Sequence, residues 1–276
     1  MYDPVKYKQG AIDNWNRVAP DYHNDWAGVG RGPFQSTREL VASAGIERGH
    51  SVLDLACGTG AVSAQVAQLL GPSGMLVGID FARGALAIAR KGVPAGHFAE
   101  MDAESIGLAT RFDRVVCQYA LMFFPDPAKV LGQVAGLLKD GGRLAVAVHG
   151  TARGVPYFST IMEPVLAHIP DIRPDGTPTV HRFGEPSNLE RLLSSAGFAD
   201  VAVKKFVFSY DAGAFDDYWS DYMSATAASI RSKIEAKGDR VVEAIREEAR
   251  KKAESFVRND NTIRFPWDVL VAAAEK

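Results

Sequence analysis

Asp54 closes a short apolar run, Val52-Leu53-Asp54-Leu55, and a glycine-rich turn follows, Ala56-Cys57-Gly58-Thr59-Gly60. Glycines let a backbone turn sharply and approach a ligand closely. The helical pattern from Ala61 to Leu70 then offers unpaired N–H groups at its start. A strand, turn and helix in this order build a nucleotide crevice. A dinucleotide site would show G-x-G-x-x-G to cradle a pyrophosphate. Here Ala61-Val62-Ser63 follow Gly60, so the third glycine is absent. An anionic Asp54 would repel a diphosphate and suit a cation such as the ammonium group of an amino acid. Asp80 ends a second apolar run about 20 residues beyond the glycines, where an acid accepts hydrogen bonds from ribose hydroxyls. Asp102 lies in Met101-Asp102-Ala103-Glu104, just past a third run. Taken singly, Asp80 or Asp102 reads as a cap or turn residue. Three acids in register, one beside a glycine turn, point to a ligand.

The elements that must position these acids alternate regularly. Strands are expected at 50–56, 75–80, 96–99 and 112–117, with a helix over 83–91. Val115-Val116-Cys117 is apolar on both faces, as parallel strands covered on both sides are. Asp126-Pro127 starts a helix with an N-cap and a first-turn proline. Its buried stripe is Val130, Leu131, Val134, Leu137 and Leu138, and Gly141-Gly142 is expected to end it before a fifth strand over 144–148. Ser187-Asn188-Leu189-Glu190 reads as a capping box opening a short helix that ends at Gly197. A sixth strand over 202–210, a helical insertion over 214–259 and an antiparallel seventh strand over 263–273 complete the pattern. The fold class is α/β: a doubly wound, seven-stranded, mostly parallel sheet with helical cap or lid insertions.

Composition excludes several classes. The net charge of -2 gives no electrostatic case for nucleic acid or an anionic membrane. Cys57 and Cys117 have no metal-type spacing and suggest no disulfide framework, which fits a reducing cytoplasm. No apolar run approaches a membrane span and no secretory pattern opens the chain. A soluble cytoplasmic protein without a stable membrane anchor is expected, and no metal site is expected.

Val52 to Gly60, Asp80-Phe81, Asp102-Ala103-Glu104 and Phe112 to Val148 together resemble a class I S-adenosylmethionine-dependent methyltransferase. The resemblance is nearest to the small-molecule enzymes of ubiquinone and menaquinone biosynthesis. It is strong over about residues 45–150, and Trp15 to Tyr22 and Phe265 to Lys276 share it. It implies a Rossmann-like methyltransferase fold in three parts: N-terminal helices over 1–44 covering the cofactor site, a cofactor-binding core over 45–150, and 151–276 carrying strands six and seven with a substrate cap at about 211–259. It implies S-adenosyl-L-methionine as cofactor. Asp54 and the backbone of Ala56, Gly58 and Gly60 would hold its methionine end, and Gln118 would border that end. Asp80 would take the ribose diol, Phe81 would pack on the adenine, Asp102 and the amide of Ala103 would meet the base, and Tyr22 would close the site.

The reaction implied is in-line methyl transfer to a small, hydrophobic or aromatic acceptor. A base is needed only where the acceptor must lose a proton. His149, just past the fifth strand, is the first candidate and His181 the second; each also reads as a polar loop residue. Phe215, Tyr218, Trp219, Tyr222 and Met223 share one helix face. The stripe either holds the cap on the sheet or walls the acceptor pocket, with Phe215, Trp219 and Tyr222 as the pocket candidates. Glu247–Lys251 and Glu248–Lys252 are expected to pair on a solvated face. The alternatives are a methyltransferase-fold protein that binds the cofactor without transfer, and a nucleic-acid methyltransferase. The second is disfavoured by Gln118-Tyr119-Ala120-Leu121, which lacks an Asn/Asp-Pro-Pro-aromatic element, and by the absence of a basic stripe. A homodimer is left open.

Overall fold

The structure, a computed structural model, describes residues 2–276. Its strands are β1 (Ser51–Leu55), β2 (Met75–Asp80), β3 (His97–Glu100), β4 (Phe112–Gln118), β5 (Leu138–His149), β6 (Ala199–Gly213) and β7 (Ile263–Glu275). Its α-helices are α1 (Pro4–Tyr22), α2 (Thr37–Ala44), α3 (Ala61–Leu70), α4 (Arg83–Gly92), α5 (Pro127–Leu137), α6 (Pro156–His168), α7 (Pro186–Ser195), α8 (Phe215–Asp221), α9 (Arg231–Glu235) and α10 (Asp239–Ala253). No helix among the described residues is long and apolar enough to cross a membrane.

The seven strands form one sheet in the order β3-β2-β1-β4-β5-β7-β6. The first five run parallel, and β7 runs antiparallel to both of its neighbours. Every residue of β1 is buried, as expected for a central strand covered on both faces. The chain winds outward through β2 and β3, then returns to the other side of β1 as β4. The order therefore reverses between β1 and β4, where Asp54 lies opposite Val116. Open α/β sheets bind ligands at the carboxyl ends of the strands at such a reversal.

Three local expectations need correction. Gly141-Gly142 does not end α5. Leu138 turns extended, is fully buried and pairs with Phe112, so β5 starts there. The glycines lie inside β5 where its register against β4 shifts, and Gly141 takes a φ of 70° that favours glycine. Ser187 is not an N-cap either. Pro186 presets the first helical turn, so α7 starts earlier, with Glu185 as N-cap and no side-chain capping bond. The Glu–Lys pairs of α10 do not form. Lys252 bonds Glu163 at 2.7 Å and Glu248 bonds His168 at 2.9 Å, so these charges tie α10 to α6.

The N-terminal helix is fixed to the sheet from one side. Asp3 caps α1 by accepting from Val5 N and Lys6 N. Asn16 Oδ1 accepts from the backbone of Gly84 at 2.8 Å, and Ala19 packs with Ala82 and Ala85 at the start of α4. A Cβ on Gly84 would meet the Asn16 carbonyl oxygen at 2.9 Å, so close approach demands glycine here. Gly84→Val is expected to lift α1 from α4 while the sheet stays folded. Limited proteolysis should then cut within 4–22, with little change in the urea midpoint of the remainder. A helix that stays resistant in the variant would contradict this docking.

Candidate functional site

A cavity of about 1250 Å³ opens at the carboxyl ends of β1, β2, β4 and β5. Sites for one ligand typically run to about 300–1,000 Å³, so this one has room for a nucleoside-sized ligand and a second molecule beside it. Its lining brings together Tyr22, Asp54, Ala56, Gly58, Asp80, Phe81, Asp102, Ala103, Gln118, His149 and Tyr222, the sequence candidates. Gly60 stands apart as the residue that lets the turn close. Its φ is 87°, and a Cβ there would press on Ala89 of α4 at 3.2 Å.

Asp54 is 1% exposed. Its Oδ2 accepts from Ser63 Oγ at 2.6 Å. Ser63 sits where a dinucleotide fingerprint would carry its third glycine, so the substitution that argued against a pyrophosphate also supplies a donor to the acid. Asp80 Oδ2 accepts from Gly58 N at 2.9 Å and its Oδ1 from Ala82 N at 2.8 Å. Thus Asp80 holds the glycine turn in place from the neighbouring strand. Neither acid makes an ion pair among the described residues. Burial pushes the Asp54 carboxyl up to about 7; the Ser63 hydroxyl pulls it partway back and Asp80 adds a like charge. Burial raises Asp80 as well, against backbone donors that favour its charge. A buried acid and a half-buried one, neither met by a cation among the described residues and each with spare lone pairs, fit an ammonium group and a pair of hydroxyls.

The other side of the cavity is held by the N-terminal segment. Lys8 of α1 bonds Asp102 and Glu104, each at 2.7 Å, so one Asp102 oxygen serves as a latch for the helix. Its second oxygen accepts from Glu104 N. Gln118 is buried, accepting from Thr37 Oγ1 at 3.0 Å and donating to Ser36 Oγ at 3.2 Å. Tyr22 meets Trp15 and Phe34 edge-on.

Tyr119 is a site residue that the sequence did not single out. Its φ is 56°, a left-handed value rare for a bulky residue, and Ala56 at the end of β1 has 55°. Tyr119 Oη donates to the Pro33 carbonyl at 2.6 Å, and its ring stacks on His149 with centroids 4.5 Å apart. His23 and Thr59 were also missed; His23 Nδ1 and Thr59 Oγ1 lie 3.0 Å apart and tie the first helical segment to the glycine turn.

His149 is buried and Trp267 Nε1 donates to its Nδ1 at 3.1 Å. An indole N–H only donates, so Nδ1 is unprotonated and Nε2 carries the hydrogen. Burial, helped by His181, lowers this imidazole to about 3 and keeps it neutral. His149 is thus a donor at Nε2, and the expectation of a base there is corrected. His181 has the opposite pattern. Its Nδ1 lies 2.7 Å from the Gly150 carbonyl, which can only accept, so Nδ1 carries the hydrogen. Its Nε2 is a buried lone pair without a partner, an arrangement that costs about 1–3 kcal/mol.

Phe215 and Trp219 do not reach the cavity. Phe215 lies under the Arg250 guanidinium at 4.3 Å, facing α10, and Trp219 stacks on Phe215. Tyr218 Oη donates to Tyr157 O at 2.6 Å and Tyr222 Oη to Phe158 O at 3.2 Å. The stripe therefore fastens the cap to α6, and of the three pocket candidates only Tyr222 lines the cavity.

The reversal of strand order, the acid-flanked glycine turn and the antiparallel last strand define a Rossmann-like methyltransferase fold. A family model described as a methyltransferase domain matches residues 46–172. The aklanonic acid methyltransferase DauC of Streptomyces sp. (strain C5) is 34% identical over 179 residues, covering 59% of this chain and 80% of that protein. A demethylmenaquinone methyltransferase of Renibacterium salmoninarum is 28% identical over 200 residues, 68% of this chain and 83% of that protein. Among solved structures, the YcgJ protein of Bacillus subtilis matches with a TM-score of 0.59 at 18% identity, over 88% of this chain and 98% of that one. Phosphoethanolamine N-methyltransferase 2 of Haemonchus contortus, in complex with S-adenosyl-L-methionine, matches with 0.57 at 16%, over 95% of this chain and 57% of that one. The chain belongs to the S-adenosylmethionine-dependent methyltransferases.

The buried Asp54 makes stability depend on pH. Its folded pKa of about 7 lies above the ordinary 3.8, so the protonated acid favours the fold at low pH and that contribution fades as pH rises toward 7. The loss is on the order of 4 kcal/mol. Asp54→Asn, without ligand, is expected to lose less stability than the parent between pH 4 and 7. Urea unfolding at three pH values checks this, and parallel curves for the two proteins would contradict it.

Proposed function

We propose that this chain transfers the methyl group of S-adenosyl-L-methionine to a small, hydrophobic or aromatic acceptor held in the inner part of the same cavity. The observation that carries the reading is the pair of acids, buried Asp54 and half-buried Asp80, with no ion-pair partner among the described residues, at one end of a cavity whose other end is aromatic. In this assignment Asp54 holds the ammonium group, and the backbone of Ala56, Gly58 and Gly60 surrounds the methionyl carboxylate. Asp80 takes the two ribose hydroxyls. Phe81 and Ala103 flank the base, with Asp102 offering its remaining lone pairs to the amino group. Gln118 borders the methionyl end, and Tyr22 and the rest of 1–44 form the cover over the core of 45–150. Residues 151–276 supply the acceptor side, with Tyr222, Phe158 and Trp267 as walls.

The sulfonium methyl is already activated, so the protein needs no covalent nucleophile. The chain's contribution is to place the acceptor atom in line behind the methyl and to exclude water. Positioning alone can supply up to about 7–11 kcal/mol of such a barrier. The aromatic walls and the cover of α1 serve both ends. That relatives are named for aklanonic acid and demethylmenaquinone supports a small acceptor. The free, buried Cys57 and Cys117 support a reducing compartment such as the cytoplasm.

Asp80→Ala is expected to weaken S-adenosyl-L-methionine binding by about tenfold to a hundredfold, the value of losing hydrogen bonds to a charged acceptor. Calorimetric titration reads this directly, and unchanged affinity with an intact fold would refute the role. Incubation with methyl-labelled cofactor and a host extract should yield a labelled small molecule by mass spectrometry. Label found only in nucleic acid or protein would overturn the small-acceptor reading.

A further inference from the structure

The acceptor end of the cavity holds a cation that the described residues leave unmet. The basic side chains in the cavity lining are Lys6, Lys8, Arg17, Arg173 and Lys233. Lys8 is taken by Asp102 and Glu104. Arg17 donates to Asn14 Oδ1 at 2.8 Å, Lys233 donates to the Ile172 carbonyl at 3.4 Å, and Lys6 is exposed. Arg173 is half-buried and has neither a side-chain hydrogen bond nor an ion pair among the described residues. Of the carboxylates in the lining, Glu163 pairs with Lys252 at 2.7 Å, and Asp175, two residues on, is exposed and makes no ion pair with Arg173. The backbone around Arg173 is held from both sides. Ile172 is buried and its carbonyl meets Lys233. Pro174 restricts the residue before it, and Thr177 Oγ1 donates to the Pro174 carbonyl at 2.6 Å. The charge of Arg173 reaches the hydroxyls of Tyr7 on α1 and Tyr222 in the cap: burial raises both tyrosines, and Arg173 pulls each partway back. Its guanidinium therefore stands where the cover meets the cap.

We infer that Arg173 binds a carboxylate carried by the methyl acceptor and so anchors the acceptor at the aromatic end of the cavity. This rests on the methyl transfer proposed above and names a feature of its substrate. A planar guanidinium offers two parallel N–H donors to a carboxylate, which gives a charge-assisted pair of fixed direction. An acceptor without the anion would strip water from Arg173 and put nothing in its place, at a cost in affinity. The site thus selects against neutral ring compounds as well as for anionic ones. The carboxylate is the handle and not the methylated group, because the guanidinium engages its lone pairs. The atom that takes the methyl lies elsewhere on the acceptor.

A phosphate would ask for more than this site holds. A phosphate monoester carries about 1.5 to 2 negative charges at neutral pH, and one guanidinium balances one. Lys233 is exposed and turned to a backbone carbonyl. Arg182 donates to the Phe124 carbonyl at 2.8 Å and lies over the Phe183 ring, outside the cavity lining. A single half-buried guanidinium is matched to a carboxylate.

Calorimetric titration of the protein loaded with S-adenosylhomocysteine tests this with 1-naphthoate, 1-naphthamide and 1-naphthyl phosphate. The parent should bind the naphthoate about tenfold to a hundredfold more tightly than the amide, the value of hydrogen bonds to a charged group, and more tightly than the phosphate. Arg173→Gln should bind naphthoate and naphthamide alike, and Arg173→Lys should recover part of the preference. Both variants should hold S-adenosylhomocysteine within about twofold of the parent, since Arg173 supports no other side chain. Arg17→Gln removes a charge from the same lining and should keep the preference. On the labelled product of the extract experiment, Arg173→Gln should raise KM about tenfold with kcat within about threefold, and the label should survive mild alkali, which cleaves methyl esters. A parent that binds naphthoate no better than naphthamide, or binds the phosphate more tightly, would overturn the assignment. So would a preference that survives Arg173→Gln or vanishes in Arg17→Gln, or label released as methanol. A parent that prefers the carboxylate yet labels nothing counts against methyl transfer itself, while the carboxylate site stands.

Discussion

Two carboxylates, one buried and one half-buried, stand at the ends of adjacent parallel strands, and no cation among the described residues meets them. Asp54 and Asp80 are that pair, and their cost organises the surroundings. Ser63 answers one acid with a hydroxyl, and the amides of Gly58 and Ala82 answer the other. The bonds that make the acids tolerable also set the glycine turn between β1 and α3. The ligand that completes the arrangement must bring its own positive charge and its own donors. That requirement separates a sulfonium nucleoside with an ammonium group from a diphosphate before any pocket shape is considered.

The remaining structure keeps water away from this pair and gives the transferred group a second partner. Lys8 draws α1 across the cavity, and Asn16 docks it on a glycine of α4. On the far side Tyr157 sits among Trp26, Tyr210, Tyr218 and Trp267, a cluster that joins α6, β6, β7 and the cap. The cluster serves the site through Trp267, whose indole orients His149. Packing and chemistry therefore share residues here. Removing Trp267 would both open the core and release an imidazole.

The chain's pattern announced the sheet wherever one physical rule acted alone. The apolar runs that carry Asp54 and Asp80 read as strands of a covered sheet, and Asp126-Pro127 read as a helix start. Rules failed where two competed. Gly141-Gly142 looked like a helix stop, but burial of Leu138 against Phe112 ended α5 first and left the glycines to make a bulge. Pro186 overrode Ser187 as the start of α7. The aromatic stripe at Phe215 was read correctly as one face, but periodicity does not say what a face meets. Arg250 and α10 claimed Phe215, and the cavity received only Tyr222. The histidines were legible as residues near the crevice and illegible as chemistry. A tautomer is set by a partner, and the partner of His149 lies 118 residues away in the chain.

The claim beneath the whole account is that a protonatable acid at the end of β1 must ionise to receive the cationic ligand. The dissociation constant of S-adenosyl-L-methionine against pH tests it most directly. Affinity should strengthen about tenfold per pH unit up to about 7, where Asp54 ionises. It should weaken again once the ligand's α-amino group loses its proton, at about 7.7–8.0. A dissociation constant that stays flat from pH 5 to 7 would show that Asp54 does not hold the ligand's charge.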